Sequence, residues 1–150
     1  MNAQRRFLKW TSRQLERTRI GVNQLKKLES SKAPAAVGPY SQGIQTGNLF
    51  YLSGQLGLNP ETGKLVEGGV QAQAKQAFEN IKQVLASEGL TLDNVVKVLV
   101  LLADIQDFAA VNEVYATQFN EPYPARSAFA VAALPLGGLI EIEVIAEREA

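Results

Sequence analysis

Asn94-Val-Val-Lys-Val-Leu-Val-Leu-Leu-Ala-Asp104 is the stretch that decides how this 150-residue chain folds. Val95–Ala103 is β-branched or aliphatic on both alternating faces and is interrupted only by Lys97. A strand of that length with two apolar faces belongs in the middle of a sheet or under an interface, because one exposed face would read as polar alternation. Asp104 follows at once, where a carboxylate can cap a second helix, and Asp107 falls in the first turn near the positive end of the helix dipole. Phe108, Val111, Tyr115 and Phe119 then recur at helical spacing until Pro122 and Pro124 end the pattern.

The flanking segments complete a layer. Upstream, Val70, Ala74, Ala77, Ile81 and Leu85 predict a helix over Val70–Glu88, and Gly89 stands where a C-terminal cap belongs. Gly43–Gly47 and Asn48–Gly54 predict a hairpin turning at Gly47-Asn48, followed by a long connection marked by Pro60, Gly63, Gly68 and Gly69. Downstream, Ser127–Ala133 and Leu139–Glu147 predict two last strands around a Pro135–Gly138 turn. The order is β-β-α-β-α-β-β, an α+β single domain over residues 29–150 with two helices on one sheet.

Composition narrows the chemistry. An apolar fraction of 46% is enough for a real core, and no run approaches the ~18–20 apolar residues of a membrane-spanning helix. Cysteine and histidine are both absent. That excludes thiolate nucleophiles, disulfides, thiolate or imidazole zinc sites and histidine-activated serine. No Asp-rich calcium loop, no Walker-type loop and no dinucleotide fingerprint is present, so no metal is expected, with only a site of carboxylates and water left open. Chemistry near neutral pH falls to carboxylates, Arg, Lys, Tyr, hydroxyls, backbone groups and water.

The zero net charge hides two unlike segments. Residues 1–28 carry eight basic residues against Glu16 alone, whereas residues 29–150 carry seven basic and fourteen acidic residues, a net of −7. In the first segment Leu8, Leu15, Val22 and Leu25 fall near one helical face, with Phe7 and Trp10 close by. Three readings remain open for this basic extension. It resembles a mitochondrial or plastid transit peptide; it suits an arm for an anionic membrane or nucleic acid; or it is a solvated or appended extension. The expected compartment is a mitochondrion or plastid if residues 1–28 are a leader, and the cytoplasm otherwise.

Several side chains are candidates for a site. Pro124-Ala-Arg-Ser127 puts Arg126 at the opening of an apolar strand with almost no local charge partner, and its planar fork suits a carboxylate. An ordinary ion pair, to Glu141 for example, is the alternative. In Ile140-Glu-Ile-Glu-Val144 the acids Glu141 and Glu143 share one strand face. A carboxylate near a cationic Arg stays ionised and can orient or deprotonate water, although a solvated outer face explains the pair equally well. Gly38-Pro-Tyr-Ser-Gln42 offers the Tyr40 phenol, and Ser53-Gly-Gln55 lets a ligand approach the backbone at Gly54. Asn112 sits beside the apolar stripe of the second helix, an unfavourable place for an idle amide.

Together these stretches resemble the RidA family. The matching residues are Lys32–Gln42, Leu52–Gln55, Asn94–Lys97, Ala103-Asp104, Val111–Tyr115, Pro124–Ser127 and Ile140–Glu143, in family order across nearly all of residues 29–150. Leu56–Lys64 and Val131–Leu136 look more like eukaryotic, especially plant-type, members. The resemblance implies a chorismate-mutase-like fold assembled as a homotrimer with its sites in clefts between subunits. It also implies hydrolysis of 2-iminopropanoate and 2-iminobutanoate to 2-keto acids and ammonia without a cofactor. Carried over by position, Arg126 binds the substrate carboxylate and Glu141 positions water, while Tyr40, Gly54, Asn112 and the backbone of Ala128 line the pocket. Ala128 stands where bacterial members commonly have cysteine, and Ala130 and Ala133 replace an acid and a second arginine, which bears on substrate range. Family members have also been described as RNA-directed translation inhibitors with endoribonuclease activity. The −7 charge of residues 29–150 opposes that role, so nucleic acid is expected to bind only through residues 1–28. A non-catalytic metabolite-binding or chaperone role is the third possibility.

Overall fold

The computed structural model describes residues 24–149. Its strands are β1 (Lys26–Leu28), β2 (Gly43–Thr46), β3 (Leu49–Leu52), β4 (Gln55–Leu56), β5 (Val95–Leu102), β6 (Ala125–Ala130) and β7 (Ile140–Glu147), and its helices are α1 (Gly69–Ala86) and α2 (Phe108–Ala116). All seven strands form one mixed sheet in the order β1-β2-β3-β7-β5-β6, with β4 also paired to β7. Only β5 and β6 run parallel, joined by the crossover through α2, while the other pairs are antiparallel. The α+β layer expected from the apolar periodicities is the layer observed.

Period-2 alternation decides which face is the core. Val98, Val100 and Leu102 of β5 and Ile140, Ile142, Val144 and Ala146 of β7 are buried, all on one side of the sheet. Phe78, Ile81, Val84 and Leu85 of α1 and Val111 and Val114 of α2 close over them, so both helices cover the same face. On the opposite face Leu99, Leu101 and Ile145 are only half-buried, and Tyr51 and Phe129 are exposed. The two-sided apolar pattern of β5 therefore has cover on one side within the chain and an open apolar face on the other.

Local signals explain most boundaries. The β2–β3 hairpin turns at Gly47, whose φ of 58° is a left-handed conformation that glycine adopts at little cost. Helix α1 ends as Gly89 enters φ 70° and the Leu90 N–H reaches back to the Leu85 carbonyl, the capping bond that glycine permits. Asp104 caps as expected, its side chain accepting from the Gln106 N–H, but it opens a single 3-10 turn over Ile105–Asp107, and α2 starts only at Phe108.

Three boundaries move. The fold begins before residue 29, because Lys26–Leu28 adds an edge strand to β2 and its last residue, Leu28, is fully buried. The expected helical face of residues 1–28 lies outside the described residues up to Asn23; beyond them Leu25 is exposed. Strand β6 starts at Ala125 and stops at Ala130, so Arg126 lies inside the ladder rather than before it. Finally, Gln55-Leu56 pairs with Ile142 and Glu141, an addition too short to show as periodicity.

Buried amides of α1 lock the connection that carries β4. Asn80 is fully buried and donates to the Leu56 and Leu58 carbonyls at 3.2 and 2.9 Å, while the Gln73 side chain accepts from the Leu139 N–H just ahead of β7. Replacing Asn80 by Leu removes both donors from buried carbonyls, and chemical denaturation is expected to show a loss of about 1–3 kcal/mol.

Candidate active site

Register places Arg126 and Glu141 on opposite faces of the sheet. Val98 is the partner of Arg126 in β6 and of Val144 in β7, and directly paired residues project to the same side. Since Val98 and Val144 lie under the helices, the Arg126 side chain leaves on the helix face. Glu141 alternates with the buried Ile140 and Ile142 and pairs with Leu101, so it leaves on the other face. Within one chain these two residues do not meet, and the Arg126–Glu141 ion pair entertained from sequence is not formed.

The arginine is held by one stripe of α2. Phe108, Asn112 and Tyr115 stand at i, i+4 and i+7, the spacing that brings side chains onto one helical face. Arg126 Nη1 donates to Asn112 Oδ1 at 2.7 Å. The guanidinium carbon sits 4.5 Å from the Tyr115 ring centroid and 5.5 Å from that of Phe108, both within the range of cation–π attraction. No carboxylate pairs with Arg126 among the described residues, and the residue is exposed. A guanidinium has five N–H donors, and the single bond to a neutral amide leaves most of them and the whole charge for a ligand. Ala128, two residues along the same face, is half-buried against the core.

The glutamate belongs to a second cluster. A Cβ on Gly54 would overlap the Glu141 carboxylate, lying 2.8 Å from its carboxyl carbon and 2.9 Å from its Cγ, so only glycine leaves that side chain its place. Ser53, next in the chain, donates from Oγ to the Ser41 carbonyl at 2.6 Å and from its N–H to the Gln42 carbonyl, which draws Tyr40–Gln42 alongside. The Tyr40 ring is half-exposed and its hydroxyl accepts from the Val37 N–H at 3.3 Å. Gln42 is buried and makes three hydrogen bonds to Ser30 and Pro34, so it anchors the preceding loop.

Electrostatics differ from the expectation of an arginine-stabilised carboxylate. Burial, and then the neighbouring Glu143 charge, raise the Glu141 carboxyl above its ordinary range. Its ionisation is opposed in the fold, so the associated stability is present at low pH and is lost as pH rises through the raised value. Removing one cause reverses part of the shift. Glu143→Gln is expected to move the acid limb of any Glu141-dependent activity to lower pH, as a pH–rate profile of variant and parent would show.

The six candidate positions thus fall into two clusters: Arg126, Asn112 and Ala128 on the helix face, and Tyr40, Gly54 and Glu141 joined through Ser53 and the sheet. Phe108 and Tyr115, read from sequence only as core, also belong to the first. Their signal was available in the spacing of two aromatics around an amide on one helical face.

Two helices on one mixed sheet, with an arginine that no carboxylate pairs among the described residues on one face and a glycine-backed glutamate on the other, define a small α+β domain with two clusters of candidate residues. The chain belongs to the family described as endoribonuclease L-PSP, whose model matches residues 30–148. It is 55% identical over 119 residues to a goat (Capra hircus) 2-iminobutanoate/2-iminopropanoate deaminase, covering 79% of this chain and 87% of that one. It is 50% identical over 129 residues to the chloroplastic Reactive Intermediate Deaminase A of Arabidopsis thaliana, covering 85% of this chain and 69% of the relative. The crystal structure of E. coli TdcF with bound serine superimposes with a TM-score of 0.78 at 41% identity, covering 83% of this chain and 99% of that one. The resemblance to RidA proteins seen in the motifs is therefore borne out, including its plant-type relatives.

Proposed function

We propose that this protein hydrolyses 2-imino acids such as 2-iminopropanoate and 2-iminobutanoate to 2-keto acids and ammonia. The observation that carries the reading is Arg126, an exposed guanidinium seated on aromatic rings with no carboxylate partner among the described residues. A small acid's carboxylate fits that fork with two charge-assisted hydrogen bonds. The deaminase names of relatives at 50–55% identity, and the serine bound to a structural neighbour, support a small carboxylate-bearing substrate.

The catalytic account follows from the two clusters, taken as half-sites. Arg126 binds the carboxylate and fixes the imine carbon. Glu141, when ionised, holds a water near that carbon and accepts its proton as the C–O bond forms. Glu141 then returns that proton to the amine nitrogen of the tetrahedral intermediate, the C–N bond breaks to release ammonia, and the hydroxyl loses its proton to solvent as the ketone forms. Tyr40, Asn112 and the backbone at Gly54 and Ala128 shape the cleft. A protonated imine is already electrophilic, so no cofactor is needed.

Because the half-sites lie on opposite faces, a working site takes Arg126 from one copy and Glu141 from another. The open apolar face carrying Leu99, Leu101, Phe129 and Ile145 gives copies a surface to bury, in keeping with a homotrimer. The chloroplastic relative and the basic, acid-poor residues 1–28 support an organellar leader, to be tested by locating tagged full-length and residue-24-onward chains, the second of which keeps β1.

A coupled assay tests the activity. A threonine or serine dehydratase generates the imine, and its disappearance is timed with and without this protein. Faster loss with the protein is expected; an unchanged rate contradicts the reading. Keto-acid binding without turnover would instead favour a non-catalytic role.

A further inference from the structure

We propose that Tyr115 is a positioning residue, whose ring, rather than its hydroxyl, holds the Arg126 guanidinium in the orientation that receives a carboxylate. The proposal rests on Arg126 being the carboxylate-binding group, and it assigns a role to a side chain that the periodicity alone explains as core.

Two observations separate ring from hydroxyl. The guanidinium carbon lies 4.5 Å from the Tyr115 ring centroid, closer than the 5.5 Å to Phe108. The Tyr115 hydroxyl, in contrast, is buried and has no hydrogen-bond partner among the described residues. A buried phenol selected for its O–H would be expected to use it, since an unmet hydroxyl is costly. Here the polar end is idle and the aromatic face is occupied.

The ring is also braced by two other aromatic rings. Phe78 meets it edge-on at 5.9 Å and 69°, and Phe119 packs at 4.9 Å and 45°. Tyr115 is only 7% exposed, so it cannot swing aside as a surface tyrosine does. The guanidinium therefore rests on a fixed surface, with the Asn112 amide setting its rotation within that plane. A long arginine side chain loses much rotamer freedom when it clamps a ligand. Fixing it beforehand moves that loss out of the binding step. Both supports are neutral, so neither cancels the charge that attracts the substrate. Burial raises the Tyr115 phenol above its ordinary value against an opposing pull from Arg126, which keeps it un-ionised near neutral pH.

The test uses full-length protein and 2-oxobutanoate as the probe, with affinity measured by titration calorimetry and turnover by the coupled assay. Tyr115→Phe keeps the platform, so affinity and KM are expected to stay within about twofold and stability to hold or rise. Tyr115→Leu removes it, and Kd and KM are expected to rise roughly tenfold, with kcat changing much less. A purely structural residue would lower thermal stability in Tyr115→Leu without that split between KM and kcat. NMR supplies a readout that does not depend on the leucine variant folding. Guanidinium protons of Arg126, assigned by their loss in Arg126→Lys, are expected upfield in the parent and in Tyr115→Phe from the ring current. Unshifted resonances in the parent, or parental affinity in a folded Tyr115→Leu, overturn the proposal. Should Arg126 not be the carboxylate-binding group, Arg126→Ala would leave 2-oxobutanoate binding unchanged. Should the deaminase reading alone fail, the coupled assay would show no turnover while that binding persists. Failure of this proposal alone leaves Arg126→Ala impaired.

Discussion

Arg126→Ala is expected to reduce imine hydrolysis to the uncatalysed rate while the chain stays folded. The magnitude follows from what the guanidinium supplies. Two charge-assisted hydrogen bonds at about 1.5–3 kcal/mol each correspond to roughly 10²–10⁴ in kcat/KM, and spontaneous imine hydrolysis hides any residue of activity below that. The structural cost is small, because Arg126 is exposed and its contacts are one amide and two ring faces. Coupled kinetics with circular dichroism would check both halves of the expectation. Substantial activity in a folded Arg126→Ala would remove the carboxylate clamp from the account.

Glu141→Gln should separate chemistry from binding. The amide keeps the shape that Gly54 accommodates but cannot accept a proton from water. Loss of a positioned general base typically costs about 10²–10⁴, here expected mainly in kcat, with 2-keto acid affinity nearly retained. Removing the half-buried charge also relieves its desolvation, so the variant should be at least as stable as the parent at neutral pH. Equal losses in kcat and in keto-acid binding would identify a structural glutamate.

Much of the fold was legible because long periodic segments carry their own evidence. Val95–Leu102, Gly69–Ala86 and the Gly47-Asn48 hairpin emerge within one or two residues of expectation. What was lost is short or non-local. Lys26–Leu28 reads as the tail of a basic extension, since one buried leucine in three residues makes no period. Gln55-Leu56 is a strand only because β7 lies beside it.

The site shows the same division. Arg126, Glu141, Gly54 and Asn112 were each legible as candidates, and the fold brings Arg126 to Asn112 and Gly54 to Glu141, contacts the sequence did not announce. Alternation within β7 separated Glu141 from Ile140 and Ile142. Nothing in the sequence states how β6 registers against β5, and that parallel register alone puts Arg126 beneath the helices and away from Glu141. Tyr115 was hidden for another reason. A ring that packs against Phe78 and Phe119 and also meets a guanidinium produces the same apolar stripe as an ordinary core residue.

The claim that one copy's arginine works with another copy's glutamate is tested most directly by mixing two inactive variants. Arg126→Ala and Glu141→Gln chains are co-expressed in equal amounts, purified as mixed assemblies and assayed for imine hydrolysis. In a trimer with shared sites, random mixing leaves about a quarter of sites with both groups intact, so activity should return to roughly that fraction of the parent. Mixed assemblies as inactive as either variant alone would contradict the account, because they would place both residues' work within a single chain.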